Sequence, residues 1–211
     1  ALTRAVGALA ASERAWIKDP LIRHFAQSYG VNMDEAARGL GEFASFNDFF
    51  TRELKPGARA LADSASYILS PADGAVSQLG TITNGRIFQA KGRDFTATEI
   101  LGHGAEAAAR FEGGQFITIY LSPKDYHRVH MPAAGMLAAT SYIPGDLYSV
   151  NVATAAGVDR LFARNERLVF FLDTPFGHIA QVMVGAFGVS RMTTVVGPDR
   201  KSTRLNSSHR L

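Results

Sequence analysis

The chain has 211 residues, of which 46% are hydrophobic, so it is long enough for one large domain with a substantial core. It contains no cysteine, which excludes disulfides, thiolate catalysis and cysteine-ligated metals. The net charge of +3 comes from residues 199–211, which hold four basic residues and one acid. The charge therefore gives no indication of a nucleic-acid partner.

The first fifty or so residues have the apolar spacing of helices. The large apolar residues that recur at helical intervals are Leu2, Val6, Leu9 and Trp16. Asp19-Pro20 is typical of an N-cap followed by proline at the first helical position, and Tyr29-Gly30 is typical of a helix end. Two shorter helices are predicted at 34–40 and 45–54.

Basic residues flank this apolar stripe, namely Arg4, Arg14, Lys18 and Arg23. The pattern fits a helical hairpin that lies on an anionic membrane surface. It fits an ordinary amphipathic helix packed on its own domain equally well, so both interpretations stay open. No apolar run reaches the length of a membrane span, and no secretory signal is visible.

From about Ser70 the pattern changes from helices to strands. Asn84-Gly85 supplies the positive φ angles of a type I′ turn and predicts a hairpin between 75–83 and 86–90. Thr96-Ala-Thr-Glu99 is a capping box that predicts a short helix. Further strands are predicted at 115–121, 136–143, 168–172 and 178–184. Because few helices separate the strands, the sequence predicts an α+β fold in which N-terminal helices precede a mostly antiparallel, β-rich domain.

The segment Tyr120-Leu-Ser-Pro-Lys-Asp-Tyr-His-Arg-Val-His-Met-Pro132 carries two histidines three positions apart, and we call it the histidine segment. Histidine takes and gives protons near neutrality. Asp73 lies in the turn Ser70-Pro-Ala-Asp-Gly74, where an aspartate commonly bonds to its own backbone. Phe162-Ala-Arg-Asn-Glu-Arg167 is a charged loop that fits a phosphate or carboxylate ligand, or a solvated loop without one.

The spacing of His127 and His130 argues against a shared metal ion. Two histidines and a carboxylate such as Asp73 are a known ligand set, so a metal-dependent hydrolase is the alternative function. In an extended segment, however, residues three apart face opposite sides, which indicates two histidines with separate duties. Asp73 and one histidine also supply two members of a Ser/His/Asp arrangement, but no Gly-x-Ser-x-Gly elbow provides the hydroxyl.

Several blocks in the same order closely resemble the bacterial phosphatidylserine decarboxylase proenzymes, over roughly residues 1–196. The blocks are Pro71-Ala-Asp-Gly74, Gln89-Ala-Lys-Gly92, the histidine segment, Pro144-Gly-Asp-Leu-Tyr-Ser-Val-Asn151 and Phe162-Ala-Arg-Asn-Glu-Arg167. The resemblance implies a lyase that converts phosphatidylserine to phosphatidylethanolamine. In this family the proenzyme cleaves itself at a Gly-Ser bond within a Leu-Gly-Ser-Thr motif, which leaves a pyruvoyl group on the smaller subunit. The pyruvoyl ketone forms a Schiff base with the substrate amine and takes up the electrons released as carbon dioxide leaves.

The resemblance also implies roles for individual residues. Asp73 and His130 match the pair that activates the cleavage serine. His127 matches the histidine of the decarboxylation step, and Tyr120 is implied to line the substrate site. The spacing of the histidines leads us to expect no metal. The resemblance implies a peripheral enzyme on the cytoplasmic face of the bacterial inner membrane, with the smaller subunit as partner, and it allows a homodimer.

Three parts of the chain are expected: a membrane-associating helical segment at 1–55, a β-rich decarboxylase domain at 56–198 and a non-native tail at 199–211. The tail has too few apolar residues to order itself, and it resembles translated sequencing-adapter DNA. Because the Leu-Gly-Ser-Thr motif is absent from residues 1–211, we expect a truncated chain that does not process itself alone.

Overall fold

The computed structural model of the chain describes residues 2–188, 191–194 and 208–210. The chain divides into two compact units. The first unit contains residues 2–74, the segment Leu121–Pro132 and the described residues from Gly188 onward. The second unit contains Ala75–Tyr120 and Ala133–Phe187. Nearly all of the histidine segment therefore belongs to the same unit as the N-terminal helices.

The described part of the first unit begins with short helices. They are α1 (Leu2–Ala10), α2 (Ala15–Tyr29), a 3₁₀ helix (Leu40–Glu42) and α3 (Phe46–Phe50). Helix α2 ends at Gly30, whose φ of 65° lies in the left-handed region that glycine adopts at little cost. Helix α3 begins after Ser45, whose hydroxyl accepts a hydrogen bond from the amide of Asp48. Among the described residues, no helix is both long and apolar enough to cross a bilayer.

The predicted start of α2 at Asp19-Pro20 is wrong. The helix begins after Arg14 and contains Pro20 in its interior. Proline removes one main-chain donor from the helix. Because Ile22 and Ala26 are buried against the rest of the unit, tertiary packing offsets that loss.

The predicted helix at 34–40 is also wrong, and the one predicted at 45–54 is shortened to Phe46–Phe50. Main-chain hydrogen bonds join the two segments instead. The amide of Ala37 donates to the carbonyl of Glu53 at 2.9 Å, and the amide of Lys55 donates to that of Glu35 at 2.8 Å. Pairing between residues distant in sequence overrides local helix propensity at these positions.

Aromatic rings form the core of the first unit. Phe43 and Phe49 are almost fully buried, and their ring centroids lie 5.5 Å apart in an edge-to-face arrangement. Phe25 of α2 packs against Phe46 and Phe49 of α3 in the same manner. Burial of each such side chain contributes about 1.5–3 kcal/mol, so these rings hold α2 and α3 together.

Antiparallel strands form the framework of the second unit. Strand β1 (Ala75–Thr81) pairs with β4 (Gln115–Tyr120), β2 (Arg86–Ala90) pairs with β3 (Arg93–Thr96), and β5 (Met136–Ile143), β6 (Arg167–Thr174) and β7 (Gly177–Val184) form one sheet in that order. Short helices connect them, namely α4 (Ala97–Leu101), α5 (Ala105–Ala109), α6 (Val152–Gly157) and α7 (Leu161–Arg164). The predicted α+β fold with antiparallel strands is confirmed.

The predicted hairpin at Asn84-Gly85 is correct as a turn and wrong as a strand pairing. Asn84 and Gly85 have φ angles of 54° and 68°, as a type I′ turn requires. The turn closes only an isolated bridge between Thr83 and Arg86. Strand β1 pairs with β4 instead, and the amide of Ile82 extends that pairing to the carbonyl of Gly114 at 2.8 Å.

A short strand, β8 (Arg191–Thr193), pairs in parallel with β9 (Ser208–Arg210). The strand at 208–210 differs from the expectation of an unordered tail, because main-chain pairing does not depend on apolar side chains. Residues 199–207 and 211 lie outside the described residues. The non-native origin of the tail and the membrane-associating segment at 1–55 stay predictions.

Candidate active site

The histidine segment has one buried face and one exposed face. His127 and Val129 are 3% and 7% exposed, whereas His130 is exposed and Tyr126 and Arg128 are partly exposed. This alternation is that of an extended chain, in which neighbouring side chains point to opposite sides. It confirms the prediction that the two histidines face different surroundings.

His127 is held rigidly on the buried face. Its Nδ1 lies 2.8 Å from the main-chain carbonyl oxygen of Asp125, and its ring centroid lies 4.1 Å from that of Phe50. Because a carbonyl oxygen only accepts, Nδ1 carries the proton of the neutral ring. Nε2 is then the nitrogen that takes up or releases a proton.

His130 presents its ring on the exposed face, next to Tyr126. The hydroxyl oxygen of Tyr126 lies 3.0 Å from Nε2 of His130, and the two rings are stacked. The amide of His130 donates to the carbonyl of Pro71 at 2.7 Å, and the amide of Leu69 donates to that of Pro132 at 2.7 Å. These two bonds align the histidine segment with the turn that carries Asp73.

Asp73 is bound by an arginine. Nε and Nη2 of Arg59 donate to the two carboxylate oxygens of Asp73 at 3.0 and 2.5 Å, and Nη2 also donates to Glu35 at 2.9 Å. These bonds, first those to Asp73, raise the pKa of Arg59. Gly74 has a φ of 131°, which explains the glycine directly after Asp73. Within the described part of the chain, the hydrogen bonds of Asp73 run to Arg59 rather than to His130, so the Asp73–His130 pair stays a prediction.

Two more arginines anchor the histidine segment. Nη2 of Arg52 donates to the carbonyl of Lys124 at 2.8 Å, and burial lowers the pKa of this arginine. Nε of Arg128 donates to the carbonyl of Thr51 at 2.8 Å, and its Nη1 donates to Glu53 at 2.6 Å. Sequence reasoning missed Arg52, Arg59 and Arg128, because their partners are distant along the chain and no periodic pattern marks them.

Tyr120 is the last residue of β4 and belongs to the second unit. It is partly buried and lies opposite Ala75 in the register of β1 and β4. Its place in a substrate site stays a prediction.

The charged loop Phe162–Arg167 is buried in its second half, whereas Arg164 in its first half is exposed and donates a hydrogen bond to the hydroxyl of Tyr148 at 2.6 Å. Asn165, Glu166 and Arg167 are each at most 4% exposed. The guanidinium of Arg167 donates to four main-chain carbonyls, those of Glu99, Ile100, Ala163 and Asn165. The prediction of a phosphate or carboxylate site is wrong at Arg167, because the protein itself uses these donors.

The described residues contain no cluster of three or more histidine and carboxylate groups that could hold a metal ion. His127 and His130 lie on opposite faces of one segment, and Asp73 is occupied by Arg59. The alternative of a metal-dependent hydrolase that uses these three residues is not supported.

Known proteins match the chain over most of its length. The family described as Phosphatidylserine decarboxylase matches residues 46–207, and a second description, PSD, matches residues 1–30. The chain is similar to the phosphatidylserine decarboxylase proenzyme of Ectopseudomonas mendocina, with 53% identity over 99% of this chain and 76% of that relative. Proenzymes of the same name from Chromobacterium violaceum and Saccharophagus degradans are each 55% identical, over 95% and 92% of this chain and 73% and 68% of their own lengths. The chain therefore belongs to the phosphatidylserine decarboxylase family.

Proposed function

We propose that this chain carries the histidines of a self-processing enzyme that converts phosphatidylserine to phosphatidylethanolamine. The observation that carries the proposal is the match to decarboxylase proenzymes over nearly the whole chain. The names of those relatives supply the substrate and the proenzyme state. The two faces of the histidine segment support two separate proton-transfer duties, one for processing and one for turnover.

The proposed prosthetic group is a pyruvoyl group, whose carbonyl system takes up the electron pair released when carbon dioxide leaves. The histidine segment fits such a group, because both processing and turnover need a side chain that moves a proton near neutrality. His127 is fixed by Asp125 and Phe50, so its unprotonated Nε2 is held in one orientation to take up a proton and pass it on. His130 is exposed and accessible to a hydroxyl on another segment, as self-cleavage requires.

A processing-competent fusion tests the activity. It joins residues 1–194 to the remaining C-terminal part of the Ectopseudomonas mendocina relative. With carboxyl-labelled phosphatidylserine, the fusion is expected to split into two subunits and release labelled carbon dioxide. Undiminished release from a variant in which both His127 and His130 are replaced by alanine would remove these residues from the reaction.

We also propose peripheral binding to an anionic membrane on the cytoplasmic face of the bacterial inner membrane. Apolar side chains on the N-terminal helices support this: Trp16, Leu9 and Val6 are 73%, 50% and 45% exposed. Tryptophan favours the membrane–water interface, and the exposed Arg14 and Arg23 suit anionic headgroups. The smaller subunit released by self-cleavage is the proposed protein partner, and a homodimer stays a prediction.

Trp16 makes this proposal easy to test, because it is the single tryptophan of the chain. Vesicles containing phosphatidylserine are expected to shift its fluorescence to shorter wavelength, whereas purely phosphatidylcholine vesicles are not. An unchanged spectrum with both vesicle types would contradict membrane binding through these helices.

A further inference from the structure

Tyr126 contacts His130 through both its ring and its hydroxyl group. The ring planes differ by 19°, with centroids 5.6 Å apart, and the hydroxyl oxygen lies 3.0 Å from Nε2. The main-chain bond from His130 to Pro71 fixes the backbone at the same residue. His130 is therefore held at two points, its main-chain amide and its ring nitrogen Nε2.

The proton of this hydrogen bond belongs to Tyr126. Burial raises the pKa of Tyr126, opposed first by the charge of Arg128, with Asp73, Glu53 and Arg59 as further charged neighbours. The hydroxyl therefore keeps its proton at neutral pH. Among the described residues, His130 is the hydrogen-bond partner of this hydroxyl. If Nε2 donated instead, the phenolic proton would have no protein acceptor within the described residues and would be donated to solvent, so the O–H···Nε2 arrangement is the one in which His130 satisfies the phenolic donor.

We propose that Tyr126 is a positioning residue that holds neutral His130 as the Nδ1–H tautomer, with Nε2 as its basic nitrogen. Without a partner, a neutral imidazole is free to place its proton on either nitrogen. The O–H···Nε2 bond selects one of the two forms before any reacting hydroxyl arrives.

The Nδ1–H tautomer suits the role in self-cleavage that is proposed above for His130. The catalytic meaning of the inference rests on that proposed role. In a carboxylate–histidine–hydroxyl arrangement, the Nδ1–H faces the carboxylate and Nε2 faces the hydroxyl that is deprotonated. Tyr126 thus places its own hydroxyl where the hydroxyl of a cleavage serine would bind. The serine must displace Tyr126 from Nε2, and it then meets a nitrogen that is already unprotonated.

Nitrogen NMR of the 211-residue chain with ¹⁵N-labelled histidine measures the tautomer directly. The spectra are recorded well above the ordinary histidine pKa of about 6.5, and the His130 signals are assigned by their loss in His130→Gln. The wild-type chain is expected to show mainly the Nδ1–H form. Tyr126→Phe keeps the ring and removes the hydroxyl, so the ratio of Nδ1–H to Nε2–H should fall by about fivefold, as expected for one ordinary hydrogen bond.

Tyr67→Phe is the matched control, because Tyr67 lies in the same unit, is 60% exposed, and is not the hydroxyl that contacts Nε2 of His130. It should leave the ratio unchanged. Mainly Nε2–H in the wild-type chain, or the same ratio in Tyr126→Phe, would overturn the inference. The His127 signals serve as an internal check. If Tyr126→Phe changed the tautomer ratio of both histidines, the cause would be a general loss of structure, and this result would also count against a specific role of Tyr126 at His130.

The processing-competent fusion separates this inference from the proposed function. If the Tyr126 hydroxyl occupies Nε2 of His130, Tyr126→Phe removes a bond that the serine must break, so self-cleavage should be faster by up to about fivefold, whereas Tyr67→Phe should leave the rate unchanged. If His130→Ala cleaves normally, the proposed function of His130 fails, whereas the tautomer measurement still decides whether Tyr126 controls the ring.

Discussion

At the scale of single residues, the two histidines lie three positions apart and differ in burial and in the groups that they contact. His127 is buried against Phe50 with Nδ1 bound to a carbonyl, and His130 is exposed beside Tyr126. The spacing alone predicts opposite faces, because an extended chain alternates. It does not predict the partners on each face, because Phe50 comes from a distant part of the sequence and its ring meets His127 only after the first unit has folded.

Arg59→Gln tests the importance of the ion pair at Asp73. The side chains of Arg59 and Asp73 are 38% and 25% exposed, so the pair contributes at most about 1 kcal/mol to the free energy of unfolding. Loss of both hydrogen bonds frees the carboxylate to turn, and a misplaced group slows self-cleavage of the fusion by about tenfold. Gel analysis of the two subunits over time measures the rate.

Arg38→Gln is the matched control for Arg59→Gln. Arg38 also donates two hydrogen bonds to one carboxylate, that of Asp48, and these side chains are 36% and 30% exposed. It should lower the stability to a similar extent and leave cleavage unchanged. Equal slowing by both variants would show that cleavage responds to stability and not to Asp73.

At the scale of elements, the capping box of α4 is a local signal that sequence reasoning identified correctly. The carboxylate of Glu99 accepts a hydrogen bond from the Thr96 amide at 2.8 Å, and the Thr96 hydroxyl accepts one from the Glu99 amide at 3.1 Å. Every partner lies within four residues, so the signal is contained in the sequence. The pairing of 35–37 with 53–55 and of β1 with β4 was missed, because each depends on residues brought together by the tertiary fold.

The charge of Glu99 should make stability depend on pH. The hydrogen bond from the Thr96 amide, more than any other interaction, lowers the pKa of Glu99. A lowered pKa in the folded state stabilises the protein above the unfolded value of about 4.3, and this contribution is lost as the pH falls through the folded value. Glu99→Gln should therefore lower the free energy of unfolding by about 0.5 kcal/mol at pH 7, and its difference from the wild-type chain should be smaller at pH 3.

Urea unfolding at the two pH values measures this difference. Glu106→Gln is the control, because Glu106 is exposed on the next helix and has no hydrogen-bonded partner within the described residues. If Glu99→Gln lowered the free energy of unfolding equally at both pH values, Glu99 would stabilise the protein through its shape and not through its charge.

At the scale of the whole molecule, the chain leaves the first unit at Gly74, builds β1 to β4, and returns with the histidine segment. The composition and strand pattern predicted the α+β class correctly, but not this return. Arg52 and Arg128 account for it physically, since both donate across more than seventy positions of sequence. Such long-range bonds leave no trace in local periodicity.

Arg128→Met should loosen the histidine segment within the first unit. The variant keeps much of the apolar stem and removes the donors to Thr51 and Glu53. Hydrogen exchange of peptides covering 126–131 is expected to quicken by about tenfold, while peptides from β6 serve as an unchanged reference. Unchanged exchange at 126–131 would mean that Arg128 does not anchor the segment.

The central claim is that the two histidines divide the work of the decarboxylase, and the fusion tests it by mass spectrometry and carbon dioxide release. His130→Ala should leave the fusion as one uncleaved chain with no release. His127→Ala should yield both subunits and release carbon dioxide at least about a hundredfold more slowly than the unmodified fusion. Normal processing of both variants, or a loss of processing in both, would contradict the division of roles.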